Sequence, residues 1–317
     1  MSDSKVILCP GQGAQAVGMG KAWAETSPEA ARIFEQADAI LDARLGAPIS
    51  TLCFEGPEDR LNETDVSQPA IFVASMASLA GLCAQWGVTP DELAPVATAG
   101  LSLGEYTALC VAGAVSFEDG LELVTLRGRA MQDAAEAVPS GMVALVGADE
   151  TQAAELCEKA AQGDVLVPAN FNAPGQVVVS GTAAACDRAE AVASEMNLRA
   201  VRLPVAGAFH SPLMAPAADR LREALEKTEI HEPACPVLSN VTGEPHEGAG
   251  GSTICQTIRD RLVDQLTHPV RWADDCRWLA DRYADTDWHE PAPGKTLFGL
   301  QRRIERTIKV HTHGQPS

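Results

Sequence analysis

The chain has 317 residues, 46% of them hydrophobic, 21% charged and only 4% aromatic. That length implies roughly two domains, or one domain carrying an insertion, and that balance excludes global disorder and asks for a core of Ala, Val, Leu and Ile. With 43 acidic and 24 basic residues the formal net charge is -19, which argues against partnership with nucleic acid or an anionic membrane surface.

Residues 6–9 (Val-Ile-Leu-Cys) are a short apolar run ended by Pro10-Gly11, which suits a buried parallel strand. A helix is predicted over 28–45, where Ala30, Ile33, Phe34, Ala37, Ile40 and Leu41 recur at three- and four-residue steps. A longer helix is expected over 68–86; its apolar stretch, 70–84, is too short and too serine-rich for a bilayer span. Residues 93–99 read as a second buried strand ended by Gly100. Helices follow from Gly104 and over Phe117–Ala137, and this strand–helix alternation implies an α/β core with a parallel sheet.

The middle of the chain changes pattern. Strand 142–146, helix Glu150–Ala161, strands 165–171 and 176–180 flanking Asn172-Ala173-Pro174-Gly175, helix 182–195 and strand 200–203 give the order β-α-β-β-α-β. That is the ferredoxin-like order, expected as a subdomain (141–204) inserted into a core made of 1–140 and 205–317. Helices and short strands resume to about Arg306, and the tail from His311 to Ser317 is expected to fray. The nine cysteines are odd in number and form no C-x-x-C pair, so reduced thiols in the cytoplasm are the expected state. The segment Met1-Ser2-Asp3-Ser4-Lys5 lacks a signal-peptide layout.

Gly100-Leu101-Ser102-Leu103-Gly104 lies between a predicted strand and a predicted helix, which is the setting of a G-x-S-x-G nucleophile elbow. Such a turn lifts Ser102 toward substrate and points the Leu103 N–H into an oxyanion hole; the alternative is a glycine-bounded turn with an incidental serine. The loop Pro10-Gly11-Gln12-Gly13-Ala14-Gln15 offers backbone N–H groups to an anion. Gly11, Gly13 and Ala16 also approximate a dinucleotide-binding G-x-G-x-x-A, but that needs an acidic strand end about 20 residues on, where this sequence is helical; a bare turn is the third option. A serine needs an imidazole to take its proton. His210, alone among seven histidines, follows a Val205-Ala206-Gly207-Ala208-Phe209 loop with Ser211-Pro212 behind it, although a lone histidine is otherwise a structural or surface residue. Arg127 sits in a helix beside Leu121, Val124 and Ala130, either partly buried or in a surface ion pair. The spacing of His311 and His313 is read as incidental, with no metal site.

These loops, together with Leu126-Arg127-Gly128, Met131-Gln132, 170–176, 207–211, Ser239-Asn240-Val241 and 265–270, resemble the malonyl-CoA:acyl carrier protein transacylase family of fatty-acid synthesis, in order and over nearly the whole chain. The resemblance implies a hydrolase-like α/β core with a ferredoxin-like insertion. It assigns Ser102 as nucleophile, His210 as general base, the backbone N–H groups of Gln12 and Leu103 as oxyanion hole, and the main-chain carbonyl of Gln265 as the group orienting His210. Arg127 matches the arginine that pairs with the malonyl carboxylate. The implied substrates are malonyl-CoA and the phosphopantetheine thiol of an acidic acyl carrier protein, with no metal or bound cofactor and a monomer expected. Because this chain is acidic too, carrier docking is expected on a local basic patch of Arg199, Arg202, Lys295, Arg302 and Arg303. Two departures stand out: Leu101 occupies a position that is usually histidine in the family, and Ala292, within 290–295, one that is more often glycine. The rival functions are a trans-acting polyketide acyltransferase, for which Phe209 is a weak malonyl-selective cue, a serine thioesterase or esterase, and a non-catalytic scaffold.

Overall fold

The computed structural model describes residues 4–316. The first third runs β1 (Lys5–Cys9), α1 (Lys21–Thr26), α2 (Pro28–Leu41), α3 (Ile49–Glu55), α4 (Glu58–Asn62) and α5 (Thr64–Trp86). Then come β2 (Ala97–Gly100), α6 (Gly104–Val111) and α7 (Phe117–Ala137). The middle is β3 (Ser140–Val146), α8 (Glu150–Ala161), β4 (Leu166–Ala173), β5 (Gln176–Thr182), α9 (Ala183–Glu195) and β6 (Arg199–Arg202). The remainder is α10 (Ala215–Leu225), β7 (Leu238–Ser239), β8 (Glu244–Pro245), α11 (Ile254–Asp264), α12 (Trp272–Tyr283), β9 (Asp287–Pro291), α13 (Thr296–Ile304) and β10 (Val310–His313).

β1 is fully buried from Val6 to Cys9, as a strand covered on both faces should be. It lies between β2 and β9 in an all-parallel sheet of order β10-β9-β1-β2. α5 runs through the main apolar core against α2 and α7. By length and composition it could cross a bilayer, but 94% of its most apolar window is buried inside the protein, which makes it a core helix. β3 to β6 form a separate antiparallel sheet of order β4-β5-β3-β6. Its own interior is Val143, Leu145, Leu156, Val177, Val179 and Ala189, packed with α8 and α9. This is the ferredoxin-like strand order. Backbone bonds from Phe171 N to Val270 O and from Val270 N to Ala169 O tie it to the rest of the molecule.

Several boundaries differ from the sequence reading. β2 begins at Ala97 rather than near 93, because Pro95 brings no N–H to the ladder and 90–92 form a 3₁₀ turn closed by a Thr89–Glu92 capping box. α2 stops at Leu41, where Asp42 turns to φ 47°. α5 starts at Thr64 rather than 68, since the Gln132 side chain accepts the Thr64 N–H and Glu63 O accepts those of Val66 and Ser67. The tail is not frayed over 311–313: it is the sheet-edge strand β10, in register with β9, and His313 is hydrogen-bonded to His289 at 2.9 Å. Ser317 and Met1 to Asp3 lie outside the described residues.

Candidate active site

The site begins where β2 stops. A Cβ on Gly100 would fall 1.9 Å from the Gly104 carbonyl, so strand and helix meet too closely for any side chain there. Ser102, between them, adopts φ 53°, a left-handed conformation that a residue with a Cβ holds only when its surroundings fix it. The first loop reaches the same place: a Cβ on Gly11 would lie 2.2 Å from Leu101 O. Neither the Gln12 nor the Leu103 backbone N–H meets an internal acceptor among the described residues. Two donors flanking the elbow are therefore unspent, which is what an oxyanion hole requires.

His210 approaches on the loop 207–211, also in the left-handed region at φ 56°. Ser211 Oγ pins this loop by donating to Ala208 O at 2.6 Å while accepting Leu213 N–H. His210 Nδ1 is 2.7 Å from the Gln265 carbonyl oxygen. A carbonyl only accepts, so Nδ1 carries the proton and Nε2 presents its lone pair to Ser102 Oγ, 2.9 Å away. Burial, then the nearby Arg127 charge, lower the His210 pKa to about 4, with the Gln265 bond opposing them.

Arg127 reaches in from α7. Its Nη1 donates to Gln68 Oε1 at 2.6 Å, and its Nη2 to Gln265 Oε1 at 2.9 Å and Ser102 Oγ at 3.0 Å. The residue is 1% exposed, its Nε–H has no partner among the described residues, and its guanidinium lies over the Tyr106 ring at 5.4 Å. Burial pulls its pKa down, yet an arginine stays charged under such pressure. All its partners are neutral groups. Arg127 is thus a buried cation without a carboxylate partner, 3.0 Å from Ser102 Oγ, a setting whose chemistry suits an anionic group.

The structure thus brings together Ser102, His210, the Gln265 carbonyl, Arg127 and the loop of Gln12. Leu101 packs instead against the apolar cluster of Val6, Leu8 and Trp272. Ala292 is held by its own N–H to Ser78 Oγ and by Ser75 Oγ to its carbonyl, both at 2.8 Å. Arg199, Arg202, Lys295, Arg302 and Arg303 are exposed; Arg202 is ion-paired with Asp187 and Glu190. His311 stacks on His289 at 5.3 Å, and among the described residues no group of three side chains is arranged to hold a metal. A cavity of about 720 Å³ between Arg44, Arg60, Arg129 and Arg220 lies apart from Ser102, and all four arginines are paired with carboxylates.

Sequence reasoning missed the polar shell behind the elbow: Gln68, Glu105, Asn240, His246 and Asp275, all buried. Asn240 stands in the Ser239-Asn240-Val241 motif, but the sequence alone gives it no role. The available signal was Glu105 in the first turn of a helix otherwise rich in apolar residues.

A family model described as acyl transferase domain matches residues 6–282. The malonyl CoA-acyl carrier protein transacylase of Bacillus subtilis (strain 168) is 39% identical over 312 residues, covering 98% of this chain and 93% of that protein. The crystal structure of malonyl-CoA:acyl carrier protein transacylase (FabD) from Xanthomonas oryzae pv. oryzae superposes with a TM-score of 0.89 at 39% identity, covering 100% of this chain and 96% of that one. A malonyl-transacylase solved in complex with its type II polyketide acyl-carrier protein gives 0.88 at 35% identity, covering 99% and 96%.

Proposed function

The chain belongs to the acyl transferase domain family, and from that premise we propose that it transfers malonyl groups from malonyl-CoA to the phosphopantetheine thiol of an acyl carrier protein, feeding fatty-acid synthesis. The observation that carries this reading is Arg127, buried without a carboxylate and 3.0 Å from Ser102 Oγ. The free carboxylate of a malonyl thioester supplies the missing partner; an acetyl group leaves the guanidinium uncompensated.

The steps follow from the geometry. Ser102 gives its proton to His210 Nε2 as Oγ attacks the thioester carbonyl. The oxyanion is received by the N–H groups of Gln12 and Leu103. Collapse expels the CoA thiolate, which takes the proton from His210 and leaves a malonyl-serine ester. The carrier thiol then loses its proton to His210, attacks the ester, and Ser102 recovers its hydrogen. The Gln265 carbonyl keeps the imidazole in the working tautomer throughout.

Carrier docking is assigned to Arg199, Lys295, Arg302 and Arg303, with Arg202 a lesser member because Asp187 and Glu190 engage it. Charge reversal at Arg302 and Arg303 is expected to raise the carrier KM and leave CoA kinetics unchanged. The reading includes a monomer in the cytoplasm, in keeping with nine free cysteines. A polyketide carrier as acceptor is the second reading, favoured by the likeness to the transacylase solved with such a carrier; loading rates on both carrier types separate the two. The deciding experiment is intact mass after brief incubation with malonyl-CoA and then with carrier. One malonyl adduct should form and then move to the carrier, and Ser102→Ala should take up none. An adduct that persists in Ser102→Ala, or one that leaves only as free malonate, overturns the transfer.

A further inference from the structure

The Asn240 side chain straps the elbow from behind. Its Oδ1 accepts the Ser102 backbone N–H at 2.6 Å, and its Nδ2 donates to the Gly100 carbonyl at 2.8 Å and to Asp275 Oδ2 at 2.9 Å. The two backbone groups so engaged lie one on each side of Leu101, where the strand ladder has ended and the helix has not begun. Glu105 holds this strap in place: its Oε2 accepts the Asn240 backbone N–H at 3.1 Å and Gln265 Nε2 at 2.7 Å, while its Oε1 meets His246 Nε2 at 2.8 Å. Gln265 Nε2 also donates to Ser102 O at 3.0 Å, so the residue that orients His210 and touches Arg127 is joined to the same carboxylate. Glu105, Asn240, Gln265 and Asp275 are all 0% exposed.

We propose that Asn240 is a positioning residue for the acyl transfer: its carboxamide clamps Gly100 and Ser102 together and thereby aims Ser102 Oγ between His210 and Arg127, with Glu105 fixing the clamp and Gln265 in register. This rests on Ser102 being the nucleophile of the transfer proposed above. The position needs one acceptor and one donor on a single short side chain, which asparagine has and an ionised aspartate lacks. Burial and the neighbouring Glu105 hold the Asp275 carboxyl well above the usual range, and its Oδ2 accepts the Asn240 amide.

The test compares Asn240→Ala and Asn240→Asp with the unaltered protein, reading the rate of Ser102 labelling by a fluorophosphonate and, separately, kcat and KM for malonyl-CoA. Labelling and kcat should fall on the order of a hundredfold, the cost of a reacting atom displaced by about 1 Å, while KM moves less than about threefold because the Arg127 contact is untouched. Wild-type labelling in either folded variant overturns the proposal. Should both variants fail to fold, amide hydrogen exchange in the unaltered protein decides: the Ser102 N–H should be strongly protected and the Leu103 N–H not, and equal rates overturn the clamp. A protein that takes the fluorophosphonate but never a malonyl group refutes the transfer reading alone, since labelling rates still judge Asn240.

Discussion

Behind Ser102 the interior is polar: Glu105, Arg127, Asn240, His246, Gln265 and Asp275 are buried together and bonded to one another or to the elbow backbone. Between the antiparallel sheet and α8 and α9 the interior is apolar, made of Val143, Leu145, Leu156, Val177, Val179 and Ala189. The two regions serve different ends. Apolar contacts are non-directional, so the subdomain needs volume and pattern and tolerates exchange among residues of similar size. A buried carboxamide or guanidinium must point correctly or leave groups unpaired, so the shell behind the elbow specifies orientation. Positioning should therefore fail in the first region, and stability in the second.

The sharpest break in that contrast comes from Arg127→Ala, which removes the buried cation. Malonyl transfer should lose about 3 kcal/mol of transition-state stabilisation, on the order of a hundredfold, and malonyl:acetyl discrimination should collapse, measured as the ratio of kcat/KM for the two CoA esters. Unchanged discrimination rejects the role. In the subdomain, Leu156→Ala should cost about 3 kcal/mol of stability, read by denaturant unfolding, while Ser102 labelling in the folded protein keeps its rate. A labelling rate that falls with Leu156→Ala would erase the distinction between the two regions.

A smaller effect is expected in the pH dependence. The His210 pKa is lowered from 6.5 to about 4, so the neutral base persists through mild acid and the acid limb of kcat/KM for malonyl loading should lie near 4 rather than 6.5. Replacing Arg127 with glutamine removes one of the two lowering causes, so the limb should move upward; a limb that stays fixed disproves their coupling. The sign for stability is the same: the neutral-His210 contribution is complete above 6.5 and is lost as pH falls from there through about 4, because the unfolded chain takes the proton first. Smallest of all is Leu101→His. Leu101 is half-buried against an apolar cluster and bonds the site only through its backbone, so labelling should change by less than about tenfold, around 1 kcal/mol.

What the sequence disclosed follows the same division. The subdomain could be read nearly to the residue, as in α8, because strand alternation and helical stripes are written locally. Ser102 was legible because its elbow demands small residues beside it, and His210 and Arg127 through motifs shared with a known family. Asn240 stands 138 positions from Ser102 and His246 141 from Glu105; their partners exist only once the chain is folded, and no local pattern announces them. The 311–313 strand was missed for a simpler reason. Alternating His and Thr looks like a polar tail until β9 is seen to offer an open edge for it.

β1 takes both its sheet neighbours from later chain, β2 at 97–100 and β9 at 287–291, and the elbow takes its supports from residues 240 and 265. During synthesis from the N-terminus, the alcohol at position 102 therefore leaves the ribosome long before the parts that make it reactive. Nascent chains should be inert toward cellular thioesters until residue 265 has emerged, and fragments stopped short of it should be catalytically silent rather than wasteful hydrolases.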